Sequence, residues 1–318
     1  MSRPNADVHD VLTRRAVIKD GLAVTATLAL GSAQLSAATS GASAPISKVI
    51  PSSGEKVPVV GIGTNQYSVV APEEIAARRD VLRELPNLGG KVVDTAWGYG
   101  DAELVIGKLV QELGNRERLF IATKTPNRGD LPPGAGVIDQ ALARLQTPRI
   151  DLLQIHNFYG IDQLYPVLVE ARQAGKVRYI GITTSSSEQH GLLREALQKR
   201  RLDFIQVDYS IEDRKAEDIL QSARDKGVAV LINVPLGGRR GSVLTKVKDR
   251  PLPDWAAEIE ARSWAQLLLK YTIAHPAVTA VIPGTTKVEH LQDNQLAGRG
   301  RLPDAGLRKK IEELWSSV

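Results

Sequence analysis

The sequence predicts an α/β protein of the (β/α)8 barrel class, with a β-hairpin before the barrel and an extra helix after it. Three observations predict this. Eight short apolar runs recur along the chain, each followed by a stretch of helical periodicity. The runs are apolar throughout rather than alternating, as strands covered on both faces of a parallel sheet must be. The eight units occupy residues 59–297, close to the ~250 residues typical of such a barrel. A doubly wound sheet is the competing arrangement. It calls for a glycine-rich turn after the first strand, and Gly61-Ile-Gly63-Thr-Asn-Gln66 lacks the third glycine at the required spacing.

Taken in order, residues 48–50 and 56–57 flank Pro51-Ser-Ser-Gly54 and read as a small hairpin. The barrel strands are expected at 59–63, 92–94, 119–124, 150–156, 177–183, 204–208, 228–233 and 278–282. The helices are expected at 72–85, 102–113, 137–145, 164–174, 188–198, 215–226, 259–274 and 288–297. Residues 236–256 hold three glycines and two prolines and read as a mobile loop on the seventh strand-to-helix connection. Residues 303–315 read as a helix added to the barrel.

The head of the chain has a different character. Thr13-Arg14-Arg15-Ala16-Val17-Ile18-Lys19 is followed by a diluted apolar stretch at 21–33 and small residues at 36–44. This is the layout of an export leader. Its paired arginines match a twin-arginine signal except for a preferred Phe. The expected division is therefore a leader over 1–44 and a barrel over 45–318. The expected route is export to the periplasm through the twin-arginine machinery, with a cytoplasmic location if the leader is not functional. The apolar stretch is short for a span, so membrane contact is expected only in transit or through an uncleaved leader.

Composition narrows the function. Of 318 residues, 42% are hydrophobic and 24% charged, with no cysteine and a net charge of +5. Disulfide and thiol chemistry are excluded. Lysines and arginines are interspersed with acids, which argues against a nucleic-acid partner. A monomer is expected.

In a barrel of this class the chemistry sits at the C-terminal ends of the strands. Those ends carry Asp94, Lys124, His156, Thr183 with Thr184, Gln206 and Asn233, with Tyr99 five residues beyond Asp94. Taken singly, Asp94 would be a helix cap, Tyr99 a packed phenol and Lys124 a solvated strand end. Together they have one coherent chemistry. A phenol beside an ammonium gives up its proton more readily, because its anion is favoured there. Lys124 supplies the ammonium, Asp94 holds Lys124, and His156 can donate a hydrogen bond to an oxygen beside Tyr99. The set suits delivery of a proton to a carbonyl oxygen as charge develops on it. Five histidines are too few for an obvious metal centre. A carbonyl acid with neither base nor nucleophile needs a hydride donor.

From about residue 57 to 315 the chain resembles the aldo/keto reductase family. The resemblance rests on Gly61-Ile-Gly-Thr64, Asp94-Thr-Ala-x-x-Tyr99-Gly100, Ala122-Thr-Lys124, Leu153-Gln-Ile-His156, Gly175-Lys-Val-Arg-x-Ile-Gly181, Gln206-Val-Asp-Tyr209-Ser210, Pro235-Leu-Gly237 and Ile282-Pro-Gly-Thr285 with Asn294. It implies a catalytic tetrad of Asp94, Tyr99, Lys124 and His156, with Tyr99 the general acid, acting on a small carbonyl substrate. It also implies NADPH bound without a Rossmann fold. Thr64 and Asp94 would lie near the nicotinamide ribose. Thr183, Thr184 and Gln206 would bond the carboxamide, and Leu236 and Gly237 would border the pyrophosphate. Thr285, Lys287, His290, Asp293 and Asn294 would meet the adenosine end. Lys287 and His290 suit a 2′-phosphate, which favours NADPH over NADH. Trp97, Phe158 and Tyr159 would bound the substrate pocket together with the 236–256 loop.

The chain departs from the family's pattern in three places. Thr183-Thr184 stands where Ser-Asn is common. Asn233 stands where an aromatic residue usually stacks on the nicotinamide. The long C-terminal substrate loop of some members has no counterpart after Asn294. Two other readings are carried forward: a non-catalytic NADP(H)-binding protein of the same fold, and a barrel enzyme forming a Schiff base on Lys124. The second conflicts with Asp94, which would keep that lysine charged.

Overall fold

The computed structural model describes residues 43–238 and 241–318. The expected leader at 1–44 lies outside the described residues except for its last two. A hairpin of β1 (Ser47–Val49) and β2 (Lys56–Pro58) comes first, with Lys48 opposite Val57. The chain then alternates through β3 (Ile62–Gly63), α1 (Pro72–Asn87), β4 (Val92–Asp94), α2 (Ala102–Leu113), β5 (Phe120–Lys124) and α3 (Gly136–Leu145). It continues through β6 (Ile150–His156), α4 (Ile161–Gln173), β7 (Val177–Thr183), α5 (His190–Lys199), β8 (Phe204–Asp208), α6 (Glu217–Asp225) and β9 (Ala229–Asn233). After a two-stranded ribbon, β10 (Gly237–Gly238) and β11 (Gly241–Ser242), come α7 (Trp264–Ile273), β12 (Ala280–Val281), α8 (Val288–Ala297) and α9 (Ala305–Trp315).

The sheet runs β3-β4-β5-β6-β7-β8-β9-β12, with every pair parallel. Parallel bridges Val60–Val281 and Gly63–Gly284 bring the last strand back against the first. The architecture is that of a TIM barrel. The period of two along each strand divides the core. Val93, Ile121, Leu153, Ile180, Ile205 and Val230 face the helices and are fully buried. Their neighbours Val92, Phe120, Leu152, Tyr179, Phe204 and Ala229 fill the barrel axis. There Phe120, Tyr179 and Phe204 meet ring to ring at 5.6–6.0 Å.

The hairpin belongs to this inner core. Ile50 and Val57 pack with the axial residues near the strand starts, so the hairpin plugs the end of the barrel opposite the candidate site. Lys48 fastens it by donating to the carbonyls of Ile273, His275 and Val278 at 2.6, 3.2 and 2.6 Å, at the end of α7 and just past it. At the other flank α9 buries Leu307 and Ile311, and Glu312 accepts a 2.7 Å bond from Tyr271 of α7.

Two expectations are corrected. The helix expected over 259–274 starts at Trp264. Glu260 adopts a left-handed φ of 56°, which ends a 3-10 turn over Asp254–Ile259, and Ser263 then caps α7 by accepting from the Gln266 amide. The loop expected over 236–256 carries its own structure. It forms the β10–β11 ribbon and a 3-10 turn at Val243–Lys246, and it buries Val243, Val247 and Ala256.

Candidate active site

The expected polar residues gather at the C-terminal ends of β4, β5 and β6. Lys124 reaches sideways to Asp94 on the neighbouring strand and donates to both carboxylate oxygens, at 2.8 and 2.7 Å. A third donation at 2.7 Å goes to the Thr95 carbonyl, so all three ammonium protons have acceptors. Both side chains are buried, Lys124 at 2% exposure and Asp94 at 4%. Burial alone would push Lys124 down. The Asp94 carboxylate and the Tyr99 phenol outweigh it and hold the lysine above its ordinary range.

The Tyr99 ring lies over this pair, its centroid 5.3 Å from the Lys124 Nζ. His156 meets it edge-on, with ring centroids 6.4 Å apart and planes at 89°. Tyr99 sits in a tight turn. Its amide donates to the Ala96 carbonyl at 3.1 Å, and its own carbonyl accepts from Ala102 at 3.3 Å. Gly100 follows at φ 64°, where a side chain would meet the Ser68 hydroxyl. Thr64 adds a 2.8 Å bond from its hydroxyl to the Asp94 carbonyl, which fixes the strand end from the other side.

The residues expected to meet the cofactor have these partners within the chain. Gln206 is buried, accepts from Gln154 Nε2 at 2.7 Å and lies 3.4 Å from Asp94 Oδ2, so its amide is turned into the barrel. Thr184 directs its hydroxyl to Gln189 at 2.6 Å. Asp293 is taken up by the start of α7, accepting from Ser263 at 2.8 Å and Gln266 at 2.7 Å. The Gly237 amide and the Leu236 carbonyl are used within the ribbon, bonded to Val234 and Val243 at 2.9 and 3.0 Å. Thr285 and Asn294 are buried and joined by a 3.4 Å bond. Thr183 is buried at the end of β7, beside Gln206.

Lys287 and His290 stand apart from these. Both are exposed at the start of α8 and, among the described residues, neither forms an ion pair. They line an open cavity of about 520 Å³ with Ala77, Asp80, Val288 and Glu289. A lysine ammonium and an imidazole donor at a helix start fit a phosphate group, although Asp80 and Glu289 share the cavity. At the chemical end, the Asn233 amide donates to the Thr184 carbonyl at 3.4 Å, and its buried Oδ1 has no partner among the described residues. A buried acceptor left open at this strand end suits the N–H of a nicotinamide carboxamide.

The mouth is formed by loops. Trp97 is half-buried with the Arg128 guanidinium 5.7 Å from its ring. Phe158 is half-buried, and Tyr159, 36% exposed, donates its hydroxyl to the Gly129 carbonyl. Phe158 and Val234 adopt left-handed φ values of 61° and 44° just past the His156 and Asn233 strand ends. Such backbone costs about 1–3 kcal/mol per residue and clusters at functional sites.

Some residues of the site were not singled out in the sequence. Gln154 is one, although its place two residues before His156 on β6 puts it on the same inward face. Asn127 is another. Its buried Oδ1 has no partner among the described residues and lies against Gly98, between Trp97 and Tyr99. Its only signal was its position three residues past Lys124.

The structure is a parallel barrel with a buried Lys124–Asp94 pair beneath the Tyr99 ring at the C-terminal strand ends. Residues 59–314 match the aldo/keto reductase family, and the chain belongs to it. Among relatives, it is 27% identical over 307 residues to "Aldo-keto reductase yakc [NADP(+)]" of Schizosaccharomyces pombe, covering 81% of this chain and 88% of that one. It is 30% identical over 185 residues to "NADH-specific methylglyoxal reductase" of Escherichia coli, covering 49% and 56%. Among solved structures, the holo form of the aldo-keto reductase AKR11C1 from Bacillus halodurans aligns with a TM-score of 0.69 at 27% identity, covering 85% of this chain and 96% of that one. An aldo/keto reductase from Klebsiella pneumoniae in complex with NADP and acetate aligns with a TM-score of 0.65 at 24% identity, covering 82% and 93%, a likeness of fold. The chain is an oxidoreductase of the NAD(P)H-dependent kind.

Proposed function

We propose that the protein reduces an aldehyde or ketone to the corresponding alcohol with NADPH, and that Tyr99 is the general acid. The observation that carries this reading is the buried Lys124–Asp94 pair lying under the Tyr99 ring with His156 at its edge. When bound, the nicotinamide supplies the hydride that reduces the carbonyl carbon. The chain's own residues handle the oxygen. Tyr99 gives its proton to that oxygen as negative charge builds there, and the Lys124 ammonium stabilises the phenolate left behind. Asp94 keeps the ammonium charged and in place. His156 donates a hydrogen bond to the same oxygen. Solvent then returns a proton to Tyr99, which balances the reduction.

The fit for NADPH over NADH rests on Lys287 and His290 facing the open cavity at the start of α8. Asn233 Oδ1 would hold the carboxamide, a task the family commonly gives to other side chains. A second reading keeps the cofactor without the chemistry. It draws on Asn233 itself, which fills the stacking position with an amide tied to Thr184. Schiff-base chemistry on Lys124 is disfavoured, because the lysine is held charged.

The test is a tryptophan-fluorescence titration with NADPH followed by turnover on a panel of aldehydes and ketones. Binding with NADPH consumption and alcohol formation is expected. Tight binding without turnover on any carbonyl would favour the second reading.

We also propose that residues 1–44 direct export by the twin-arginine route, which moves folded proteins and so permits NADPH to be bound beforehand. The motivation is the Arg14-Arg15 pair ahead of a cofactor-binding domain. Fractionation should place the wild type outside the cytoplasm and an Arg14→Lys/Arg15→Lys variant inside it. Equal distribution of the two would reject this route.

A further inference from the structure

We propose that Glu103 and Arg144 are positioning residues that lock the Tyr99 turn to the strand carrying Lys124. The proposal rests on Tyr99 being the proton donor and goes beyond the tetrad itself. Glu103 opens α2, four residues after Tyr99, where a carboxylate would ordinarily sit in solvent. Here its side chain is wholly buried. One oxygen accepts from the Thr123 hydroxyl at 2.6 Å, and Thr123 is the residue before Lys124 on β5. The other accepts from Arg144 Nε at 2.8 Å. Arg144, on the last turn of α3, uses its Nη2 to donate to the Gly100 carbonyl at 2.5 Å. This carbonyl belongs to Gly100, the residue after Tyr99, and lies in the Gly100–Asp101 peptide.

The contacts form a closed path. From Lys124 it runs through Thr123, Glu103 and Arg144 to Gly100 and Tyr99, and returns through the Tyr99 ring 5.3 Å from the Lys124 Nζ. The same Gly100–Asp101 peptide is held at its other end by the Asp101 amide donating to the Ser68 hydroxyl at 3.0 Å. Burial raises the Glu103 carboxyl, against the pull of Thr123 and Arg144. A desolvated carboxylate of this kind is retained at a cost unless its partners compensate. A purely structural link between α2 and α3 has no need of the Gly100 carbonyl or of the strand residue beside Lys124. The fold also makes this link possible. α2 meets the end of α3 at Gly107, where any side chain would collide with the Arg144 and Leu145 backbone, so Arg144 comes within reach of the turn.

The geometry fixes the expected effect. Without Arg144, the Gly100–Asp101 peptide keeps only the Ser68 bond among its described side-chain contacts, and the phenol's distance from the ammonium and the substrate oxygen loosens. A misplacement of about 1 Å at a reacting group costs about 100-fold in rate.

The experiment uses the whole chain, with Arg144→Met, Arg144→Lys and the double variant Arg144→Met/Glu103→Gln. The double variant removes the stranded carboxylate, so that the fold survives while the grip on Gly100 stays absent. Measurements are made well below the unfolding temperature. The expected result for Arg144→Met and the double variant is a fall in kcat of at least about tenfold. KM and the NADPH dissociation constant should stay within about twofold, and the solvent deuterium isotope effect on kcat should grow as proton transfer becomes rate-limiting. Arg144→Lys, which can reach one of the two acceptors, should fall between. A folded double variant with kcat within twofold of wild type and an unchanged isotope effect would overturn the proposal and leave the functional reading intact. A wild type that reduces no carbonyl would overturn both.

Discussion

Replacing Asp94 by Asn isolates what the carboxylate does for the core of the site. The substitution keeps the shape and removes the charge facing Lys124, an ammonium at 2% exposure. One carbonyl acceptor, Thr95 at 2.7 Å, remains with its geometry unchanged. Breaking a buried ion pair by removing one partner costs about 3–5 kcal/mol. Asn still offers one acceptor, so the lower end applies, about 3 kcal/mol. At roughly 2–3 °C per kcal/mol for a chain of this size, the unfolding temperature should drop by about 6–9 °C.

The pH dependence gives a second reading of the same pair. In the wild type Lys124 is held above 10.5, so its stabilising contribution is complete below pH 10.5 and is lost only as pH rises through the higher folded value. In Asp94→Asn, burial dominates and draws the folded value below 10.5. The folded state then binds fewer protons than the unfolded one between the two values, and stability rises with pH in that window. The gap between variant and wild type should therefore narrow toward pH 10.5. Thermal unfolding by circular dichroism at pH 7, 8, 9 and 10 measures it. An unfolding temperature within about 2 °C of wild type at pH 7, or a gap independent of pH, would refute the assignment of Asp94 as the anchor of a charged Lys124.

Two other perturbations probe separate parts of the molecule. Lys287→Met should raise the dissociation constant of NADPH by about tenfold, the loss of a charge-assisted bond of about 1.5 kcal/mol. It should raise that of NADH much less, and equal changes for the two in a fluorescence titration would remove the 2′-phosphate from its reach. Ile50→Ala, at a side chain fully buried in the axial core, should cost about 2–5 kcal/mol in denaturant unfolding. A cost under 0.5 kcal/mol would show that the hairpin does not plug the barrel.

The barrel was legible in the sequence because each of its signals is local. Continuous apolar runs mark strands covered on both faces, and the residue that ends each run marks the strand end. The expected strands at 92–94, 150–156, 177–183 and 204–208 match β4, β6, β7 and β8. The start of α7 was less legible. Residues 259–262 continue a helical pattern, and only the left-handed Glu260 and the Ser263 cap break it. The gathering of Asp94, Lys124 and His156 was legible for the same reason as the strands, since each stands at a strand end.

Less local relations were not readable. Thr184, Gln206 and Asp293 lie where the family pattern puts cofactor contacts, and within the chain they also bond to Gln189, Gln154 and Ser263. Nothing in the spacing of those residues foretells these partners, because two of the three lie on other elements. Glu103 and Arg144 look like the ordinary first-turn acid and last-turn base of two surface helices. Their contacts with Thr123 and Gly100 follow only from how α2 and α3 pack against β5.

The central claim is that Tyr99 delivers the proton. Tyr99→Phe removes one hydroxyl and leaves the Lys124–Asp94 pair and the ring packing against His156 in place. Single-turnover reduction of an accepted aldehyde by the NADPH-loaded protein, wild type against variant, measures it most directly. NADPH should bind to both, and the rate should fall by about 10²–10⁴-fold in the variant. Equal rates in the two proteins would contradict it.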